Sequence, residues 1–92
     1  MVSKLVVLNT MDDKMLERAL GMKAELLLMQ DAVLYANKRI EENNRLVAYT
    51  VYAVKQDIMK RGLGDRLLDN IKLIDTGEFV DLLFSGKTVI NL

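Results

Sequence analysis

The alternation of short apolar runs with helix-period stretches predicts an α/β fold, a three-layer α/β/α sandwich around a mostly parallel five-stranded sheet. Three observations carry that expectation. Apolar runs recur at residues 4–9, 25–30, 46–54, 71–74 and 88–92. The stretches between them open on residues suited to begin a helix, Thr10, Asp31, Asp57 and Asp75, whose side-chain oxygens can accept from unpaired first-turn amides. No Pro or low-complexity segment breaks the pattern, so residues 1–92 read as one domain.

Each element has its own reason. "KLVVLN" reads as a first strand. Thr10 then caps a helix whose first turn holds Asp12 and Asp13 at the positive end of its dipole, with Leu16, Ala19 and Leu20 inward and Gly21 as its close. "ELLLMQ" is the second strand, and Asp31 starts a helix whose buried face would be Val33, Ala36 and Ile40, ending in a left-handed Asn43 or Asn44. "LVAYTVYAV" is β-branched and aromatic enough to be the longest strand. Asp57 opens a short third helix through Arg61, interrupted by Gly62 and Gly64. "IKLI" is the fourth strand. "DTGE" (75–78) has the spacing of a capping box for a helix with Phe79, Leu82 and Leu83 inward, and "TVINL" is the fifth strand.

The texture of the strands predicts their order. The first two are continuous apolar runs, as both-face burial requires, whereas the fourth carries Lys72 and the fifth Asn91. An order of 4-3-2-1-5 puts the polar strands at the edges; the alternative 2-1-3-4-5 would expose the apolar second strand. Right-handed crossovers then place three helices on one face and one on the other. A helix of about ten residues spans ~15 Å against ~24 Å for five strands. Spare apolar surface is therefore expected on that face, to be covered by another subunit.

Composition removes whole classes of function. Thirteen basic and thirteen acidic residues cancel, which disfavours direct contact with nucleic acid or an anionic membrane. No apolar run approaches the ~18 residues of a membrane span, and the apolar stretch near the start is too short for a signal peptide, so a cytoplasmic location is expected. With no Cys and no His, the chain cannot form a disulfide, build a usual zinc site or run a Ser-His or Cys-His pair. No cofactor, metal or catalytic residue is expected.

In a sheet of this order the connections leaving the carboxyl ends of strands three and four go to opposite faces, the switch point where open α/β sheets place ligand sites. The candidate crevice residues are Gln30, Asp31, Lys55, Asp57, Arg61 and Asp75, with Gln56 and Thr76 beside them. Two readings compete. Asp31, Asp57 and Asp75 serve as helix caps and Gln30 as a hydrogen-bonding plug, or Lys55 or Arg61 holds an anion while Asp57 or Asp75 acts as base in a small-molecule binder or enzyme.

Three segments, "ELLLMQDAVLYA" (25–36), "VYAVKQDIMKRGLGD" (51–65) and "IKLIDTGEFVDLLFSG" (71–86), resemble the TusB/DsrH sulfur-relay family of the DsrE/DsrF/DsrH-like fold, in register over about residues 4–86. The resemblance implies a subunit of a complex of related TusC/TusD-type chains, or of copies of itself, that passes persulfide sulfur between proteins. The end use it implies is 2-thiolation of the tRNA wobble uridine in bacteria, or dissimilatory sulfur metabolism. In the related carrier chain the sulfur sits on a cysteine eight residues before the Gly of Arg-Gly, and that position here is Val54. Some DsrH-type chains instead carry a cysteine near the first helix, and residues 10–24 hold none. A persulfide needs a thiol, and the six Met residues cannot supply one. The implied role is that of a non-catalytic partner; a homo-oligomer of unrelated role is the further alternative.

Overall fold

The structure, a computed structural model, describes residues 4–92; the first three residues of the stretch read above for a leader lie outside it. Five parallel strands, β1 (Lys4–Leu8), β2 (Glu25–Leu28), β3 (Val51–Val54), β4 (Ile71–Ile74) and β5 (Thr88–Asn91), pair in the order β4-β3-β2-β1-β5. The register pairs Leu8 with Leu28, Leu28 with Ala53 and Val54 with Ile74, so the carboxyl ends of β1 to β4 finish nearly level. The expected order is the observed one. Leu26, Leu27 and Leu28 of β2 are fully buried, as a central strand covered on both faces must be, while Lys72 and Leu73 on the edge strand β4 are exposed.

Helices α1 (Asp13–Gly21) and α2 (Lys55–Lys60) lie on one face and α3 (Thr76–Leu83) on the other. Leu16, Ala19 and Ile58 of the first two pack with Val6, Leu8, Leu26, Leu28 and Ala53; Phe79, Leu82 and Leu83 of α3 pack with Leu5, Val7, Leu27 and Ile74. The alternation of odd and even strand positions between these two clusters is the period-two consequence of the pleat.

Several local expectations differ from the structure. The α1 cap is Asp12, not Thr10; its carboxylate accepts from Lys14 and Met15 amides at 3.0 and 3.3 Å, which an ionised group does better than a hydroxyl at the positive end of a helix. Gly21 stays helical, and the left-handed residue after α1 is Lys23 (φ 53°).

The stretch from Asp31 is not an α-helix. It forms two 3₁₀ segments, Gln30–Ala36 and Glu41–Ala48. Asn43, 3 % exposed, donates from Nδ2 to the carbonyls of Leu34 (3.2 Å) and Asn37 (3.0 Å), taking the acceptors a continuing helix would need. Neither Asn43 nor Asn44 is left-handed; Ile40, expected inside, is 41 % exposed. The third strand begins only at Val51, because Asn70 Nδ2 donates to the Leu46 and Tyr49 carbonyls, both at 2.9 Å, and holds residues 46–48 in the second 3₁₀ segment.

The expected spare apolar surface on the α3 face lies elsewhere. Leu5 and Leu27 are fully buried, because polar side chains take over where α3 stops. Glu25 accepts from the Tyr52 hydroxyl at 2.9 Å and pairs with Lys87 at 2.8 Å, while the Lys72 ammonium stands 5.7 Å from the Tyr52 ring centroid. On α3 the exposed apolar side chains are Val80 (44 %) and, just past its end, Phe84 (84 %), four residues apart; Met11, Ile40, Val47, Met59 and Leu73 are exposed elsewhere on the chain.

Candidate functional site

An open cleft of about 280 Å³ lies at the carboxyl ends of β2 and β3 beside the start of α3, lined by Met29, Gln30, Val54, Gln56, Asp57, Thr76 and Phe79. Its position follows from the topology. The chain leaves β3 toward one face and β4 toward the other, so the helix starts diverge and leave a gap. Met29, Val54 and Phe79 supply apolar lining, and Gln30, Gln56, Asp57 and Thr76 supply the polar part.

Asp57 does not cap α2. The helix begins at Lys55, its N-cap residue is Val54, and no side chain bonds its first-turn amides. Instead the Asp57 carboxylate reaches across to β2 and accepts from the backbone N–H of Gln30 at 2.7 Å. Gln30 is left-handed (φ 52°), its side chain is exposed, and it acts through its main chain rather than as the amide plug expected. Asp31 likewise caps nothing; its carboxylate takes a 2.7 Å contact from Arg61 Nη2. Arg61 also sends Nη1 toward the Asp57 carboxylate at 3.9 Å and its backbone carbonyl at 3.4 Å. Thus Gln30, Asp31, Asp57 and Arg61 are joined into one network, with Gln30, Val54 and Asp57 on the cleft itself.

Asp75 stands apart. It completes the expected capping box, accepting from the Glu78 amide at 2.8 Å while its own N–H donates to Glu78 Oε1 at 3.3 Å, and so fixes where α3 starts and where Thr76 and Phe79 enter the cleft. Lys55 is exposed and does not line it. The two carboxylates considered as bases are thus committed to backbone amides. Sequence reasoning missed Met29 and Phe79 as lining residues; the only signal was that Met29 precedes the strand-ending Gln30 and that Phe79 is first on the inward stripe of α3. Among the described residues no group of three or more His, Cys, Asp or Glu side chains could hold a metal ion, and no helix is long and apolar enough to cross a membrane.

A family model described as DsrH like protein matches residues 9–89, nearly the whole chain. The chain belongs to the TusB/DsrH sulfur-relay family. This DsrH-like chain is 41 % identical over 76 residues, 80 % of each chain, to Protein TusB of Salmonella arizonae, and equally to Protein TusB of Salmonella typhimurium. Its fold is that of the ychN protein from E. coli, whose crystal structure superposes with a TM-score of 0.78 over the full length of both chains at 18 % identity.

Proposed function

We propose that this DsrH-like chain is a non-catalytic subunit of a cytoplasmic sulfur-relay assembly. In this reading it completes the sulfur-transfer site of cysteine-bearing TusC/TusD-type chains, and the sulfur is destined for the 2-thiolation of tRNA wobble uridine. One observation carries the reading. The cleft at the strand ends is built, yet the position matching the family's sulfur carrier is Val54, on its wall, and the chain contains no cysteine. Sulfane sulfur is carried by attack of a thiolate and held as a persulfide, and neither step is open to a branched alkyl group or a thioether. Val80 and Phe84 support the association half of the reading, since a Phe left 84 % in water gains the burial term of the hydrophobic effect only when another surface covers it.

The test is co-purification from the native host, followed by light scattering on the purified chain. The expected result is a small α/β partner that contains a reactive cysteine, recovered in equal amount, with persulfide label on the partner and none on this chain. A chain that stays monomeric and recovers no such partner would overturn the reading.

A further inference from the structure

The network behind the cleft has a specific task. Met29 is the last residue in ladder contact, its N–H donating to the Leu8 carbonyl at 3.0 Å, and its carbonyl is taken by the Ala32 amide at 3.1 Å. Between these two bonds the chain must turn out of the sheet, and it does so at Gln30 in the left-handed region (φ 52°), which side-chain-bearing residues seldom occupy unless their surroundings impose it. The first turn of α2, which follows the neighbouring strand β3, supplies that imposition. Asp57 Oδ2 accepts the Gln30 N–H at 2.7 Å across 27 residues of chain. Arg61, one turn on along α2, spans from Asp57 to Asp31 and steadies both ends of the clamp.

We infer that Asp57, steadied by Arg61, is the positioning residue of the cleft: it locks the left-handed turn at Gln30 and thereby sets Met29 and Gln30 on the wall that faces Val54. Gln30 supplies the backbone strain and Asp57 the restraint, so a glycine at position 30, free to adopt that conformation unaided, makes the restraint dispensable. The inference concerns the cleft on which the proposed function rests. It is read on the isolated chain, so its failure leaves partner capture untouched, and the converse holds as well.

The experiment is amide hydrogen exchange with methyl NMR on the full chain and its variants. In Asp57→Ala the Gln30 amide should exchange at least about tenfold faster, the factor implied by losing one charge-assisted hydrogen bond, and the Met29 and Val54 methyl signals should move. In the double variant Asp57→Ala with Gln30→Gly the methyl signals should return to their original positions. A carboxylate that merely stabilises α2 would speed exchange along the helix and would not be rescued by glycine at position 30. Unchanged protection of the Gln30 amide, or methyl signals that stay displaced in the double variant, would overturn the inference. Should Asp57→Ala not fold, Arg61→Gln serves instead: faster exchange at Gln30 supports the clamp, and unchanged exchange refutes it.

Discussion

Asn43→Ala is the sharpest test of how this chain spends its middle third. The wild-type amide is 3 % exposed and donates to two carbonyls, of Leu34 at 3.2 Å and Asn37 at 3.0 Å. Truncation removes both Nδ2 bonds, while the Leu34 carbonyl keeps the Asn37 N–H at 3.2 Å and the Asn37 carbonyl keeps the Ile40 N–H at 3.4 Å. Each lost hydrogen bond contributes about 0.5–1.5 kcal/mol, so the expected total is about 1–3 kcal/mol. For 92 residues the whole stability is about 5–14 kcal/mol, so this is a large fraction. Urea unfolding followed by far-ultraviolet circular dichroism should show a midpoint lowered by about 0.5–2 M at unchanged slope, and the melting temperature should fall by at least about 4 °C. Asn43→Asp, which offers two carbonyls a carboxylate in place of a donor, should be worse. An Asn43→Ala protein within about 0.5 kcal/mol of wild type would refute the claim that this amide holds the 3₁₀ path.

Glu25 makes a pH prediction. Burial pushes its carboxyl up, but the bonds from Lys87 and Tyr52 and the charges of Lys87 and Lys72 outweigh burial and leave it below its ordinary 4.5. A depressed folded value means a contribution present above 4.5 and lost as pH falls through the folded value. Glu25→Gln should therefore cost about 0.5–1 kcal/mol at neutral pH and show a shallower loss of stability on acidification; an acid limb identical to wild type would contradict this. Lys87, raised by its bond to Glu25, keeps its share until the pH climbs past 10.5 through its folded value. Tyr35 makes the alkaline counterpart: burial, then its 2.9 Å bond to Asp13, pushes the phenol up to about 12. Its contribution is full below the ordinary 10.0 and fades as pH approaches about 12, so in an absorbance titration a step near 12 should appear that Tyr35→Phe removes, while Tyr52, raised by burial and by its bond to Glu25, also ionises above 10.0. Phenols that all titrate together near 10.0 would count against it.

The sequence alone carried the sheet. Continuous apolar runs in β1 and β2 and polar positions, Lys72 and Asn91, at the edges are consequences of which strands touch water, and that is a property of residue type. It also carried the one fact on which the proposed chemistry turns, a valine at position 54 in a chain without thiols. The capping box at Asp75 was legible for the same reason: both partners lie within four residues.

Asp31 and Asp57 were read as caps because local rules weigh only neighbours in the chain. Their partners, Arg61 and the Gln30 amide, come from 30 and 27 residues away, and only the pairing of β2 with β3 brings them within reach. Asn43 and Asn70 likewise pair with carbonyls made available by the fold. Residue type thus decided which surfaces turn inward, since burial is a sum over apolar area. Tertiary structure decided where each polar group finds its partner, because a hydrogen bond depends on distance and direction that no single segment sets.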